Sequence, residues 1–141
     1  MNHTKKLILA PVVALLIAAA GCGGSDDNDF IEGYNSATKP LTELTAGLGS
    51  GTPTAAGLNQ MADGLADART RLAALEAPEG AQDELDAMLA SIDQSTAQVP
   101  TMANAVKAKD VQQLTEATQE FSASGTELVQ AEEALRAAVG N

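Results

Sequence analysis

The single thiol of this 141-residue chain is Cys22 and its single imidazole is His3. A thiolate is a nucleophile and a soft metal ligand, but one cysteine cannot close a disulfide within the chain. Catalytic designs built on Ser-His-Asp, Cys-His or zinc-bound water need histidine beside the nucleophile or the metal. His3 lies in the short basic start of the chain, and no second imidazole follows it. Carboxylates are the abundant reactive group: 19 Asp and Glu stand against 8 Lys and Arg, a formal net charge of −11. A carboxylate pair can do acid–base work on glycosides. Sugar clefts are usually walled with aromatics, however, and Phe30, Tyr34 and Phe121 all fall on apolar stripes. The chain has no Gly-x-x-x-x-Gly-Lys phosphate loop and no Cys-x-x-Cys-His haem box. Its acidity excludes the basic face that a nucleic-acid binder presents to phosphates.

Metal ligands receive the same scrutiny. Asp26-Asp27-Asn28-Asp29 and Asp83-Glu84-x-Asp86 carry the oxygen donors that calcium takes. Neither has the Gly and Glu that close a 12-residue calcium loop, and acidic residues at a helix start complement its dipole. Met61, Met88 and Met102 are soft donors in type, but each occupies a stripe position, where methionine fills core. The expectation is a protein with no metal, no cofactor and no catalytic residues.

Residues 1–22 differ in kind from the rest. Lys5 and Lys6 precede an apolar run, Leu7 to Ala20, broken only by Pro11. Its 14 residues fall short of the ~20 that a bilayer-spanning helix needs. A basic start, a short apolar stretch and then small residues form the pattern of a secretory signal. Ala20-Gly21-Cys22 in this setting resembles the processing box of bacterial lipoprotein precursors, with Ala19 where leucine is commonest. The resemblance implies a signal peptide over 1–21, cleavage between Gly21 and Cys22, and a diacylglycerol thioether on Cys22. It also implies a domain anchored by acyl chains at the extracytoplasmic face of the cell membrane. One such chain binds marginally, while two or more hold a soluble domain stably. The processed chain would contain no histidine and six basic residues against nineteen acidic ones, a formal charge of −13.

Beyond the cysteine, residues 22–28 read as a polar, glycine-rich tether and 29–141 as one helical domain. Four segments carry apolar or small residues spaced alternately three and four apart, which keeps them on one helical stripe. The first runs from Phe30 through Tyr34, Ala37 and Leu41 to Leu48, and the second from Leu58 through Met61, Leu65, Ala68 and Leu72 to Leu75. The third runs from Leu85 through Met88, Ile92, Ser95 and Val99 to Val106. The fourth follows Val111, Leu114, Thr118, Phe121, Gly125, Leu128, Ala131, Leu135 and Ala138. The pattern predicts helices near 28–48, 53–76, 81–107 and 110–138. Thr52-Pro53 would open the second, and Asp110 with Gln113 has the spacing of a capping box. Pro40 and Pro100 lie inside stripes, where proline removes a backbone bond; a separate short helix starting at Pro100 is the alternative there. Short connections force neighbours antiparallel, so the fold class is all-α, an up-down-up-down four-helix bundle. A helical hairpin that dimerises to complete four helices is the other arrangement.

Counting from the turns near 51 and 109 places small or hydroxyl-bearing residues at one level of three helices. Bundle folds put ligands in their cores, so Thr38, Ser95, Thr96, Thr118 and Ser122 are candidates to line a mid-bundle cavity. The competing expectation is close packing with each hydroxyl bonded back to its own helix. The composition and the Leu72-x-x-Leu75-x-x-Pro78 joint resemble small helical lipoproteins of actinobacterial type. That resemblance implies a non-catalytic binding or structural module of the cell envelope, or alternatively a carrier of a small ligand or lipid. Its partners would be the membrane, through Cys22, and a basic envelope protein drawn to the acidic faces; nucleic acid is not among them.

Overall fold

The computed structural model describes residues 25–48 and 53–140. The expected signal peptide, Cys22 and the loop at 49–52 lie outside them. Four helices follow in order: α1 (Ser25–Leu48), α2 (Ala55–Ala73), α3 (Gln82–Ala108) and α4 (Val111–Val139). They form the expected up-down-up-down four-helix bundle. α3 and α4 pack most extensively, α2 packs on α3, and α1 packs chiefly on α2. Among the described residues no helix is long and apolar enough to cross a membrane.

Helix ends show where local chemistry refines the expected boundaries. α1 begins at Ser25, so Ser25–Asn28 is helix rather than tether. Asp27 and Asp29 place negative charge in its first turns, where the dipole favours it. α2 is capped by Thr54, not Thr52: the Thr54 hydroxyl accepts from Gly57 N–H at 3.1 Å, and Pro53 stands before the cap. α2 also stops three residues before the expected 76, because Ala74 N–H and Leu75 N–H turn back to Arg71 and Leu72 carbonyls. Gly80 completes the turn into α3 with a φ of 86°, which a side chain would disfavour.

The α3–α4 turn is shorter still. Lys109 adopts the left-handed region (φ 55°, ψ 31°). Its N–H donates to Val106 O at 3.2 Å, and Asp110 N–H donates to Ala105 O at 3.0 Å. This is a Schellman closure of α3. Asp110 then caps α4, its carboxylate accepting from Gln113 N–H at 3.0 Å. Only half of the expected capping box forms, since Asp110 N–H is already committed to α3. A non-glycine residue in the left-handed region stores strain. Lys109→Gly should therefore raise stability by about 0.5–1 kcal/mol, read as a higher urea midpoint at unchanged slope.

Both internal prolines are absorbed. Pro40 lies within α1 and Pro100 within α3, which continues to Ala108 instead of restarting. Pro100 is exposed, so water can serve the carbonyl that proline leaves without a donor.

The core is aliphatic with three aromatics, and its residues come from all four helices. The second stripe is buried as expected from Leu58 to Leu72. The fourth keeps Phe121, Leu128 and Leu135 buried as expected, while Ala117, Ser124 and Glu132 are buried beside a half-buried Thr118, Gly125 and Ala131. Val111, expected to start that stripe, is 71% exposed. Between α1 and α2 the backbones approach closely at two glycines. A Cβ on Gly33 would lie 2.6 Å from Leu75 Cδ2, and one on Gly64 would collide with Leu44 Cδ1. Gly64 thus makes a hollow for Leu44 of α1, and Gly33 one for Leu75, two residues past the end of α2.

Candidate functional site

The mid-level hydroxyls do not converge as a set. Thr38 and Ser95 are buried, Thr96 and Thr118 are half-buried, and Ser122 is exposed. The serine of α4 that faces inward is Ser124, two residues on. Ser122 is therefore no lining residue: it lies off the apolar stripe that Phe121, Leu128 and Leu135 bury. Thr38 Oγ1 donates to Tyr34 O at 3.0 Å, Thr96 Oγ1 to Ile92 O at 2.8 Å and Thr118 Oγ1 to Leu114 O at 2.7 Å. Ser91 and Ser124 likewise donate to Ala87 O and Glu120 O. These are bonds to the preceding turn of the same helix, the arrangement that lets a hydroxyl sit in a helical interior. Ser95 departs from it. It is 2% exposed and its Oγ has no hydrogen-bond partner, and on the same helix Gln98 Oε1 is buried without one. Unmet polar groups in a packed interior are the usual seats of ordered water or a small guest.

A second polar group of residues lies nearer the end of the bundle where α1 and α3 begin and α2 and α4 finish. Tyr34 of α1 is fully buried, with its ring tilted against Phe30 at 6.3 Å between centroids. Its hydroxyl donates to the Met88 thioether of α3 at 3.6 Å, a weak acceptor. Glu132 of α4 is 3% exposed. It accepts from Arg136 Nη2 at 2.9 Å, one turn along the same helix, while the Arg136 side chain remains 47% exposed. Burial pushes the Glu132 carboxyl above the ordinary glutamate range; Arg136 opposes this by charge and hydrogen bond, and Glu133 adds to it. Burial also raises the Tyr34 phenol, and the neighbouring Glu132 charge raises it further. The phenol is thus a neutral donor throughout the physiological range.

Sequence spacing did not assign Glu132 to the interior. The signal was present: Leu128, Glu132 and Leu135 keep the four-then-three spacing of a buried stripe. Arg136, four residues after Glu132, is placed to pair with it.

The remaining polar contacts are superficial. Arg69 bonds Asp93 through Nε at 3.0 Å and Nη2 at 3.1 Å, joining α2 to α3, but both side chains are substantially exposed. Such pairs contribute little. Among the described residues no three His, Cys, Asp or Glu side chains are grouped to hold a metal ion. Met61, Met88 and Met102 are all core residues. Comparison with family models, curated proteins and solved structures finds no match for the chain.

Proposed function

We propose that this protein is an extracytoplasmic lipoprotein, anchored to the cell membrane through Cys22, whose four-helix domain acts as a non-catalytic binding or structural module of the envelope. The observation that carries the reading is the order of residues at the start of the chain. Lys5-Lys6, a 14-residue apolar run and Ala20-Gly21-Cys22 lie immediately ahead of a polar, acidic helical domain. Only Gly23 and Gly24 separate Cys22 from the first residue of α1. That tether reaches about 10 Å at most, so the start of α1, the α2–α3 turn and the C-terminus face the lipid. A domain this acidic is repelled by anionic head groups. Its partner would be a basic envelope protein, met on the sides or the far end of the bundle.

Intact mass of the protein extracted from its native membrane tests the reading. The expected species starts at Cys22 and carries acyl mass, and Cys22→Ala leaves an unacylated chain that does not partition with the membrane. A free Cys22 on an uncleaved chain would overturn it.

A second reading, a small-ligand carrier, is favoured by the unpartnered Ser95 Oγ and Gln98 Oε1. Native mass spectrometry of the purified domain would show a retained small molecule if it holds, and the bare chain mass if it does not.

A further inference from the structure

We infer that Ser95 and Gln98 form a seat inside the bundle for one neutral hydroxyl group, that of a small alcohol-bearing guest or of a water molecule. The inference rests on the carrier reading for its guest and gives that guest a chemistry. Buried hydroxyls elsewhere on these helices are spent on their own backbone: Thr38, Ser91 and Ser124 each donate to the carbonyl four residues back. Ser95 has the same option in Ser91 O and does not take it, although it is 2% exposed and sits on the buried stripe between Ile92 and Val99. Gln98, three residues on, is its neighbour on that face of the helix. The Gln98 Oε1 is covered and likewise has no partner.

The neighbouring helices fix the place. Asp93 bonds Arg69 of α2, so that side of α3 turns toward α2. At about 100° per residue, Ser95 and Gln98 lie roughly 140–160° around the helix from Asp93. That is the border toward α4, the helix on which α3 packs most extensively. Ser95 and the buried Ser124 stand equally far from the reversal at Lys109 and Asp110, so they share a level. The atoms then set the chemistry. A serine hydroxyl can donate one hydrogen bond, whereas a glutamine Oε1 can only accept. One hydroxyl between them satisfies both: it accepts from Ser95 Oγ and donates to Gln98 Oε1. An ether oxygen cannot donate and leaves Gln98 unmet. An ion would give up its hydration beside Ile92, Val99 and Met102, which offer no counter-charge.

Two isomeric probes test the seat in the purified protein: 1-butanol, which donates a hydrogen bond, and diethyl ether, which does not. 1-Butanol should shift the Gln98 side-chain amide resonance saturably, and diethyl ether should leave it unmoved. Ser95→Ala should weaken the butanol response about tenfold, the loss of one hydrogen bond. Thr96→Ala should respond as wild type, because the Thr96 hydroxyl is spent on Ile92 O. A crystal structure should place an oxygen within about 3.2 Å of both Ser95 Oγ and Gln98 Oε1. A saturable butanol response assigns the seat to a guest's hydroxyl; an isolated oxygen with no butanol response assigns it to water. Equal shifts with both probes, or a crystal structure with no oxygen at the seat, would overturn the inference. The carrier reading fails separately, on a bare chain mass in native mass spectrometry. A retained molecule with no O–H group would leave that reading standing and overturn the seat.

Discussion

Tyr34→Ala should lower the unfolding free energy by about 3–5 kcal/mol, the cost of emptying a buried aromatic site. That is a large share of the ~5–15 kcal/mol that holds a typical domain together. Tyr34 has no exposed surface, and it meets Phe30 of α1 and Met88 of α3. No other large side chain of α1 stands ready to fill the space, since Phe30 is already seated in the core one turn away. Tyr34→Phe should cost no more than about 1 kcal/mol, because the hydroxyl it removes donates only to a thioether at 3.6 Å. Urea unfolding followed by far-ultraviolet circular dichroism measures both, as neither variant retains the tyrosine signal. A Tyr34→Phe variant as damaged as Tyr34→Ala would show that the phenol oxygen, not the ring, matters.

Gly64→Leu should be the most damaging change at any glycine, at roughly 2–3 kcal/mol, by overpacking the α1–α2 contact. A side chain there enters the space of Leu44 and then meets Leu41 Cδ2, 3.8 Å from the new Cβ. Leu41 is buried and cannot retreat into solvent. Gly64→Ala is much milder: the Leu44 tip is half-buried and flexible, and alanine recovers about 0.8–1 kcal/mol of helix propensity. Gly125 of α4 makes the contrast, since a Cβ there meets nothing within 4 Å. Gly125→Ala should gain about 0.5–1 kcal/mol from helix propensity alone. Midpoints of the three variants, compared at constant slope, give the ranking; a stabilised Gly64→Leu would mean that the two helices do not depend on this hollow.

These residues also show which features could be read from the chain before the fold was known. Helix number, order and antiparallel pairing were legible because a three-four repeat admits one kind of element, and the Asp110 cap and the turns near 80 and 109 are local chemistry. Which of two neighbouring small residues of α4 is fully buried was not. Thr118 and Ala117, or Gly125 and Ser124, are equally acceptable on a weakly apolar stripe, and only the neighbouring helices decide between them. Ser122 proves exposed and Glu132 buried, while Phe121, Leu128 and Leu135 keep their expected places. The burial of a carboxylate is a tertiary fact, for the same residue on an isolated helix would face water. The Thr54 cap was missed because Thr52-Pro53 offers an equally good local signal, and two threonines two residues apart compete for one role.

The tight reversal at Lys109 and Asp110 has a bearing on the order in which the molecule comes together. It links the two most closely packed helices with the shortest connection described in the chain, so their contacts are local and cheap in loop entropy. That hairpin is the natural first-formed piece. Tyr34 of α1 meets Met88 of α3, which is synthesised well after it. Of the four described helices α1 is therefore made first and seated last, and through that interval it must keep Phe30 and Tyr34 without their final partners.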